Sequence, residues 1–317
     1  MDFQDIIGQE KTLRKLQNLL EKGTLPHTLL FAGAGGVGKR TVAEIVAGYL
    51  LCEKQTFCRS CPSCSRYEKQ THPDFHRYYP MTKNEWEGKE EKDGKTKKER
   101  FISIAQMRAM IADVARSTQL AKNHVVIIED ADKMRVEAQN AILKTIEEPT
   151  VPTYFILLTA KSDNLLITIK SRASLFSFGL LQDSELSEYV GRTGLDRSLL
   201  PLANGSIGTL YRLNTLEAQD NLALARELLT KAPKYRELEL IDKAEELAKL
   251  SKDSWAEILN FMLLEIRNSL VEGAKLRLNS PMSVLRLVLG LAYRLQYNVN
   301  LRLQIEAFLL ELVRLEG

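Results

Sequence analysis

An apolar run, Leu29-Leu30-Phe31, breaks into Ala32-Gly33-Ala34-Gly35-Gly36-Val37-Gly38-Lys39-Arg40-Thr41 and resumes as the helical pattern Val42-Ala43-Glu44-Ile45-Val46-Ala47. A buried strand, a turn without side chains and a helix start make a phosphate cradle. Gly33, Gly36 and Gly38 let backbone N–H groups turn toward an anion, the helix N-terminus adds positive potential, and Lys39 reaches the terminal phosphates. A glycine-rich turn unrelated to phosphate is the competing reading, and strand, spacing, lysine and following helix together argue against it.

The pattern departs from its signature at one position. The motif ends Gly-Lys-Ser/Thr because that hydroxyl ligates magnesium, whereas Arg40 occupies the slot with a cation that cannot ligate a metal and repels it. Thr41 is no substitute, because one step along a helix turns the side chain roughly 100° away. The sequence therefore describes a nucleotide pocket in shape that has lost hydrolysis. With Lys39 and the glycines kept, ATP binding without cleavage stays an open alternative.

At 317 residues the chain has room for two or three domains, and 44% hydrophobic with 27% charged residues is an ordinary soluble composition. The acidic start Met1-Asp2-Phe3-Gln4-Asp5 and the short apolar runs resemble neither a signal peptide nor a membrane span, so the expectation is a cytoplasmic protein with no membrane partner. A net charge of +3 is too small for strong autonomous nucleic-acid binding, which makes DNA something met through partners.

Before the glycine loop, Ile6-Ile7-Gly8-Gln9 precedes an amphipathic helix with Leu13, Leu16, Leu19 and Leu20 on one face, ended by Gly23 and Pro26. Such a segment either stacks an adenine or caps the N-terminus. After the loop all four cysteines fall in one window, Cys52, Cys58, Cys61 and Cys64, spaced C-x5-C-x2-C-x2-C. Thiolates grouped this tightly in a reducing compartment suit tetrahedral structural zinc, reactive thiols being the alternative. His72 and His76 read as ordinary residues flanking the strand that follows. The mixed-charge stretch within 81–100 reads as a solvated, mobile loop.

Ile102, Ile104, Met107, Met110 and Ile111 spell a helix, and His124-Val125-Val126-Ile127-Ile128 a buried parallel strand ending in Glu129-Asp130, where such proteins hold magnesium and polarise water. The usual order is Asp then Glu. Ala138 to Glu148 forms a helix stopped by Pro149. The strand Tyr154-Phe155-Ile156-Leu157-Leu158-Thr159 puts Thr159 where it either senses a γ-phosphate or satisfies a neighbouring backbone group. Arg172 is expected beyond a further strand, in a polar turn.

The succession Ile6-Ile7-Gly8-Gln9, glycine loop, four cysteines, acid-ended strand, Asn140-Ala141-Ile142-Leu143-Lys144-Thr145-Ile146-Glu147-Glu148-Pro149, Thr-bearing strand and Ile169-Lys170-Ser171-Arg172-Ala173 resembles the AAA+ clamp-loader subunits of bacterial DNA polymerase III. The motifs run from about residue 3 to about residue 178, and Tyr297 to Glu306 looks like the last collar helix of that family. The resemblance implies an α/β fold: an AAA+ parallel-sheet domain over 1–180 with a zinc module at 52–64, a helical lid over 181–215, and an all-α collar over 216–317. It implies a pentameric ring with gamma/tau ATPases and delta, which opens a sliding clamp and places it on primed DNA.

Motor subunits of the family carry Gly-Lys-Thr/Ser, Asp-Glu and a lid arginine after Gly-Ser. This chain has Lys39-Arg40, Glu129-Asp130, and Gly208 in the lid position after Gly205-Ser206-Ile207. Ser171-Arg172 is kept, and in the family that arginine acts in trans on a neighbour's ATP as an arginine finger. The combination is similar to the delta-prime branch, with Ala173 departing from the usual cysteine. An active gamma/tau-type ATPase and a zinc-dependent nucleic-acid-binding module are the alternatives. In the helical region Trp255, Ile258, Leu259, Met262, Leu263, Ile266 and Leu270 form one stripe, with Phe261 and Leu264 off it, as in a helix covered by several neighbours.

Overall fold

The computed structural model describes residues 2–88, 100–231, 235, 237–272, 278–295, 297 and 299–316. They divide into two compact units, one of residues 1–189 with 205–208, the other of residues 190–204 with 209–317. Among the described residues no helix is long and apolar enough to cross a membrane.

The first unit is built on five parallel strands, β1 (Thr28–Gly33), β2 (Phe75–Tyr78), β3 (His124–Ile128), β4 (Thr153–Thr159) and β5 (Ser174–Phe178), in the order β2-β3-β4-β1-β5. The central strands read as unbroken apolar runs because both faces are covered. Leu29, Phe31, Val125, Ile127, Ile156 and Leu158 face one core with α1 (Glu10–Glu21) and α2 (Lys39–Leu51). Between them, α3 (Pro62–Glu68) and α4 (Lys83–Trp86) precede α5 (Ile104–Val114), α6 (Val136–Glu147) and α7 (Ile167–Lys170), and these last three cover the opposite face through Leu30, Val126, Ile128, Phe155 and Leu157. The parallel α/β expectation is met.

Two local readings change. Ile167–Lys170 is a helical turn, not a strand, so Arg172 precedes β5 instead of following a strand. The charged stretch begins in order: Thr82 and Glu85 form a capping box at the start of α4, and Met81 pairs with Phe101. Residues 89–99 of that stretch lie outside the described residues.

The described residues that follow form helices: α8 (Asp183–Thr193), α9 (Leu200–Ala203), α10 (Ile207–Leu213), α11 (Leu216–Thr230), α12 (Glu237–Leu247), α13 (Lys252–Glu272), α14 (Pro281–Arg294) and α15 (Leu301–Glu316). Within the second unit α13 packs against α11 and α14, so it is covered on more than one side. Accordingly Phe261 and Leu264, off the apolar stripe, are buried, while Leu270, on it, is exposed. Trp255 is fully buried and its indole N–H donates to Leu247 O at 3.0 Å.

Candidate functional site

The glycine loop turns from β1 into α2 through Gly36 and Gly38, whose φ values of 74° and 101° need residues without a Cβ. Lys39 Nζ donates to Gly33 O and Ala34 O, each at 2.6 Å. Two of the ammonium's three donors thus lie on the loop's own carbonyls. Burial lowers the Lys39 pKa from its ordinary value, against the opposing pull of Asp130 and Asp132.

One step on, the Arg40 guanidinium donates through Nη2 to Glu129 Oε2. Glu129 follows β3, is 8% exposed in its side chain, and presents its other oxygen to Arg77 Nε at 3.6 Å. Arg77 in turn donates to Glu44 Oε1 at 2.5 Å, which ties β2 to α2. Burial raises the Glu129 pKa, and Arg40 and Arg77 hold it down. The Glu129 carboxylate therefore lies against two side-chain cations of this chain. Asp130 has a left-handed backbone, φ 46°, and pairs at the surface with Lys133 at 3.0 Å, so the two acids diverge. Thr159 is buried; its hydroxyl donates to Asp132 Oδ1 at 2.8 Å and accepts from Lys161 N–H at 3.1 Å.

The Gly205-Ser206-Ile207-Gly208 segment lies on the glycine loop itself. Gly208 N–H donates to Gly36 O at 2.9 Å and Ser206 Oγ to Gly35 O at 2.9 Å. A Cβ on Gly208 would meet Gly36 Cα at 2.6 Å, and one on Gly36 would meet Gly208 Cα at 2.7 Å. Backbone is against backbone, so no arginine fits where the family resemblance would put one. Upstream, Gln9 and Gly179 exchange two hydrogen bonds, at 2.7 and 3.0 Å, which closes the Ile6-Ile7-Gly8-Gln9 segment onto the end of β5.

Ser171 and Arg172 stand apart from this network and share no hydrogen bond or ion pair with Lys39, Arg40 or Glu129 among the described residues. Arg172 Nε donates to Glu147 Oε2 at 2.8 Å and Nη1 to Thr168 O at 3.1 Å; Ser171 Oγ donates to the same carbonyl at 3.1 Å.

The four cysteine sulfurs all lie within 4.8 Å of one another, with Cys52 and Cys58 3.7 Å apart. Four thiolates about 2.3 Å from one ion sit about 3.8 Å apart, so the donor set fits a tetrahedral metal. Cys52, Cys61 and Cys64 are buried. Hydrogen bonds from the Ser60 side chain and backbone, with Cys61 N–H, lower the Cys58 pKa to about 6, whereas burial raises that of Cys64. Gln55, Phe57 and Arg59 take left-handed backbones, and the Phe57 ring rests on Gly48, where a Cβ would meet it at 2.7 Å. His72 is more than a strand-flanking residue. Its Nδ1 accepts from Asp74 N–H at 3.1 Å, so Nε2 carries the proton and donates to Ser63 Oγ at 2.8 Å, whose hydroxyl donates to Leu51 O at 2.6 Å. That relay ties the cysteine segment to β2. Sequence reasoning missed Arg77, Glu44 and Asp132 because each acts across elements distant in the chain; only Asp132, two residues past Asp130, carried a local signal.

A family model described as "DNA polymerase III, delta subunit" matches residues 8–182. The chain is 32% identical over 197 residues to the DNA polymerase III subunit delta' of Pseudomonas aeruginosa, covering 59% of this chain and 56% of that protein. It is 28% identical over 225 residues to the delta' subunit of Bacillus subtilis, 70% and 63% covered, and 28% identical over 228 residues to a gamma subunit of Buchnera aphidicola, 68% and 57% covered. The matches thus span less than two thirds of these relatives. A gamma-subunit-related protein of DNA polymerase III from Thermotoga maritima shares the fold, with a TM-score of 0.58 at 16% identity over 95% of this chain and 99% of that one.

Proposed function

The chain belongs to the DNA polymerase III delta-subunit family, and on that premise we propose that it is a delta-prime-type clamp-loader subunit that does not hydrolyse ATP. The observation that carries the reading is the Arg40 guanidinium on Glu129. A hydrolytic site leaves that carboxylate free for magnesium or for the attacking water, and here a fixed cation already neutralises it. Lys39 folded onto Gly33 and Ala34, and Gly208 seated on Gly36, support the same conclusion.

In this reading Arg172 serves a neighbouring ATPase in trans, where a guanidinium stabilises charge on the transferring phosphoryl group. Its separation from this chain's own degenerate pocket supports that role, as does Nη2, which makes no hydrogen bond among the described residues. Cys52, Cys58, Cys61 and Cys64 hold a structural zinc, with four sulfur ligands that leave no open position for catalysis. The lid spans 181–215 and the collar 216–317, and the partners are gamma/tau ATPases and delta in a pentameric cytoplasmic assembly acting on the sliding clamp and primed DNA.

The second reading is an active gamma/tau-type ATPase, favoured by the gamma relatives at comparable identity. Titration of the purified chain with ATP, with and without magnesium, separates them. The expected result is no magnesium-dependent tightening and no turnover above background. Turnover lost on Lys39→Ala would establish the motor reading instead. Salt-sensitive DNA binding by the isolated chain would favour a zinc-dependent nucleic-acid-binding module.

A further inference from the structure

We infer that Glu147 is a positioning residue for Arg172: its carboxylate, at the end of α6, fixes the guanidinium so that the Nη2 edge is left to meet an anionic phosphate oxygen of an adjacent subunit. The inference rests on the reading that Arg172 acts in trans.

Glu147 is the last residue of α6, followed by Glu148 at the cap. Acids at a helix C-terminus face the negative end of the helix dipole, the unfavourable polarity for that position. Arg172 meets this carboxylate through Nε at 2.8 Å, while Nη1 reaches Thr168 O at 3.1 Å in the short α7, where a cation suits the exposed carbonyls. Two of the three guanidinium nitrogens are thereby anchored from two elements. Among the described residues Nη2 makes no hydrogen bond.

The pair is too exposed to be explained by stability alone. Side chains 33% and 51% exposed form an ion pair of little thermodynamic weight, screened by water and salt. Orientation is another matter. An arginine carries large rotamer freedom, and a finger must hold its planar fork in one attitude to stabilise charge that develops only in the transition state. Anchoring Nε and Nη1 before the encounter removes that ordering from the reaction step. Glu147 therefore acts through Arg172 and touches no substrate.

The test uses the full-length chain reconstituted with its motor subunits, comparing wild type, Arg172→Ala, Glu147→Ala, Glu147→Gln and the Arg172→Ala/Glu147→Ala double variant. Glu147→Ala should lower kcat at the affected site by roughly three- to tenfold with KM unchanged, the range set by releasing one ordered side chain. Glu147→Gln keeps an acceptor oxygen and should recover most of the loss. The double variant should match Arg172→Ala alone, because a positioning residue has nothing left to position. If Arg172→Ala lowers turnover and Glu147→Ala does not, Glu147 is excluded while the trans-finger reading stands. A further loss from Glu147→Ala in the Arg172→Ala background would show that Glu147 acts independently, and overturns the inference. If Arg172→Ala itself leaves turnover unchanged, the trans-finger reading fails first and the inference with it.

Discussion

Truncating Arg40 to alanine tests whether a guanidinium has taken over the place of a metal ion. The variant leaves Glu129, 8% exposed, with Arg77 Nε at 3.6 Å as its remaining cation among the described residues. Breaking a fully buried ion pair on one side typically destabilises by about 3–5 kcal/mol. Arg40 is 64% exposed and Arg77 stays, so solvent screening brings the expected loss to about 1–2 kcal/mol. At about 2–4 °C per kcal/mol for a unit of this size, the melting midpoint of the first unit should fall by about 2–8 °C. The loss also has a pH signature. Burial already raises the Glu129 pKa and Arg40 opposes that rise, so removing Arg40 raises it further. The destabilisation should be largest at neutral pH, where the carboxylate must be charged, and should vanish as pH falls through the folded-state value and the group takes a proton. Thermal or urea unfolding of the full chain, run as a double-mutant cycle with Glu129→Gln, reads the pairwise contribution directly. A coupling below about 0.3 kcal/mol, or a variant as stable as its parent at pH 7, would refute the argument.

Gly208→Ala forces a Cβ to within 2.6 Å of Gly36 Cα and should destabilise by about 1–3 kcal/mol in urea unfolding, whereas Gly191→Ala, inside α8 where a Cβ meets nothing within 4 Å, should stabilise by about 0.4–1 kcal/mol. Metal analysis of the purified chain should find about one zinc per chain; Cys61→Ser/Cys64→Ser should abolish it and lower the melting midpoint, and full retention of metal would disprove the four-sulfur site. Burial lowers the pKa of both His72 and His76, so neutral imidazoles stabilise the fold fully above the ordinary histidine value of 6.5, and that contribution declines as pH falls through the lowered folded values. His76→Phe should flatten the loss of melting temperature as pH falls below the ordinary histidine value of about 6.5, and an unchanged slope would exclude His76 as its source.

Much of the first unit was legible because its signals are local. Lys39 and the glycines mark a strand-to-helix turn, and the runs around Val126 and Ile156 are apolar without interruption because helices cover both sheet faces. β5 was harder to see: Ser174-Leu175-Phe176-Ser177-Phe178 is short and sits at an edge, with half its side chains turned outward. The departure at Arg40 could be read from spacing alone, but its partner could not. The acids after β3 were expected to share one task. The backbone turn at Asp130 sends one to the surface and leaves Glu129 between two guanidiniums. Glycine at position 208 appeared as a missing arginine, and the structure supplies the steric reason, a close approach to Gly36 that no sequence period encodes.

The five-stranded sheet also has to stop somewhere. Its two margins are β2, which carries His76 and Arg77, and β5, which carries Ser174 and Ser177. A lateral row of unpaired amides invites another polypeptide to zip on, and charged or hydroxylated side chains along such a row discourage it. Arg77 therefore answers two needs at once: the side chain that ties Glu129 to Glu44 also makes the rim of the sheet an unwelcoming template. A neutral, apolar replacement at that position would expose the molecule to clumping even where its fold survived, a hazard to look for in turbidity on storage.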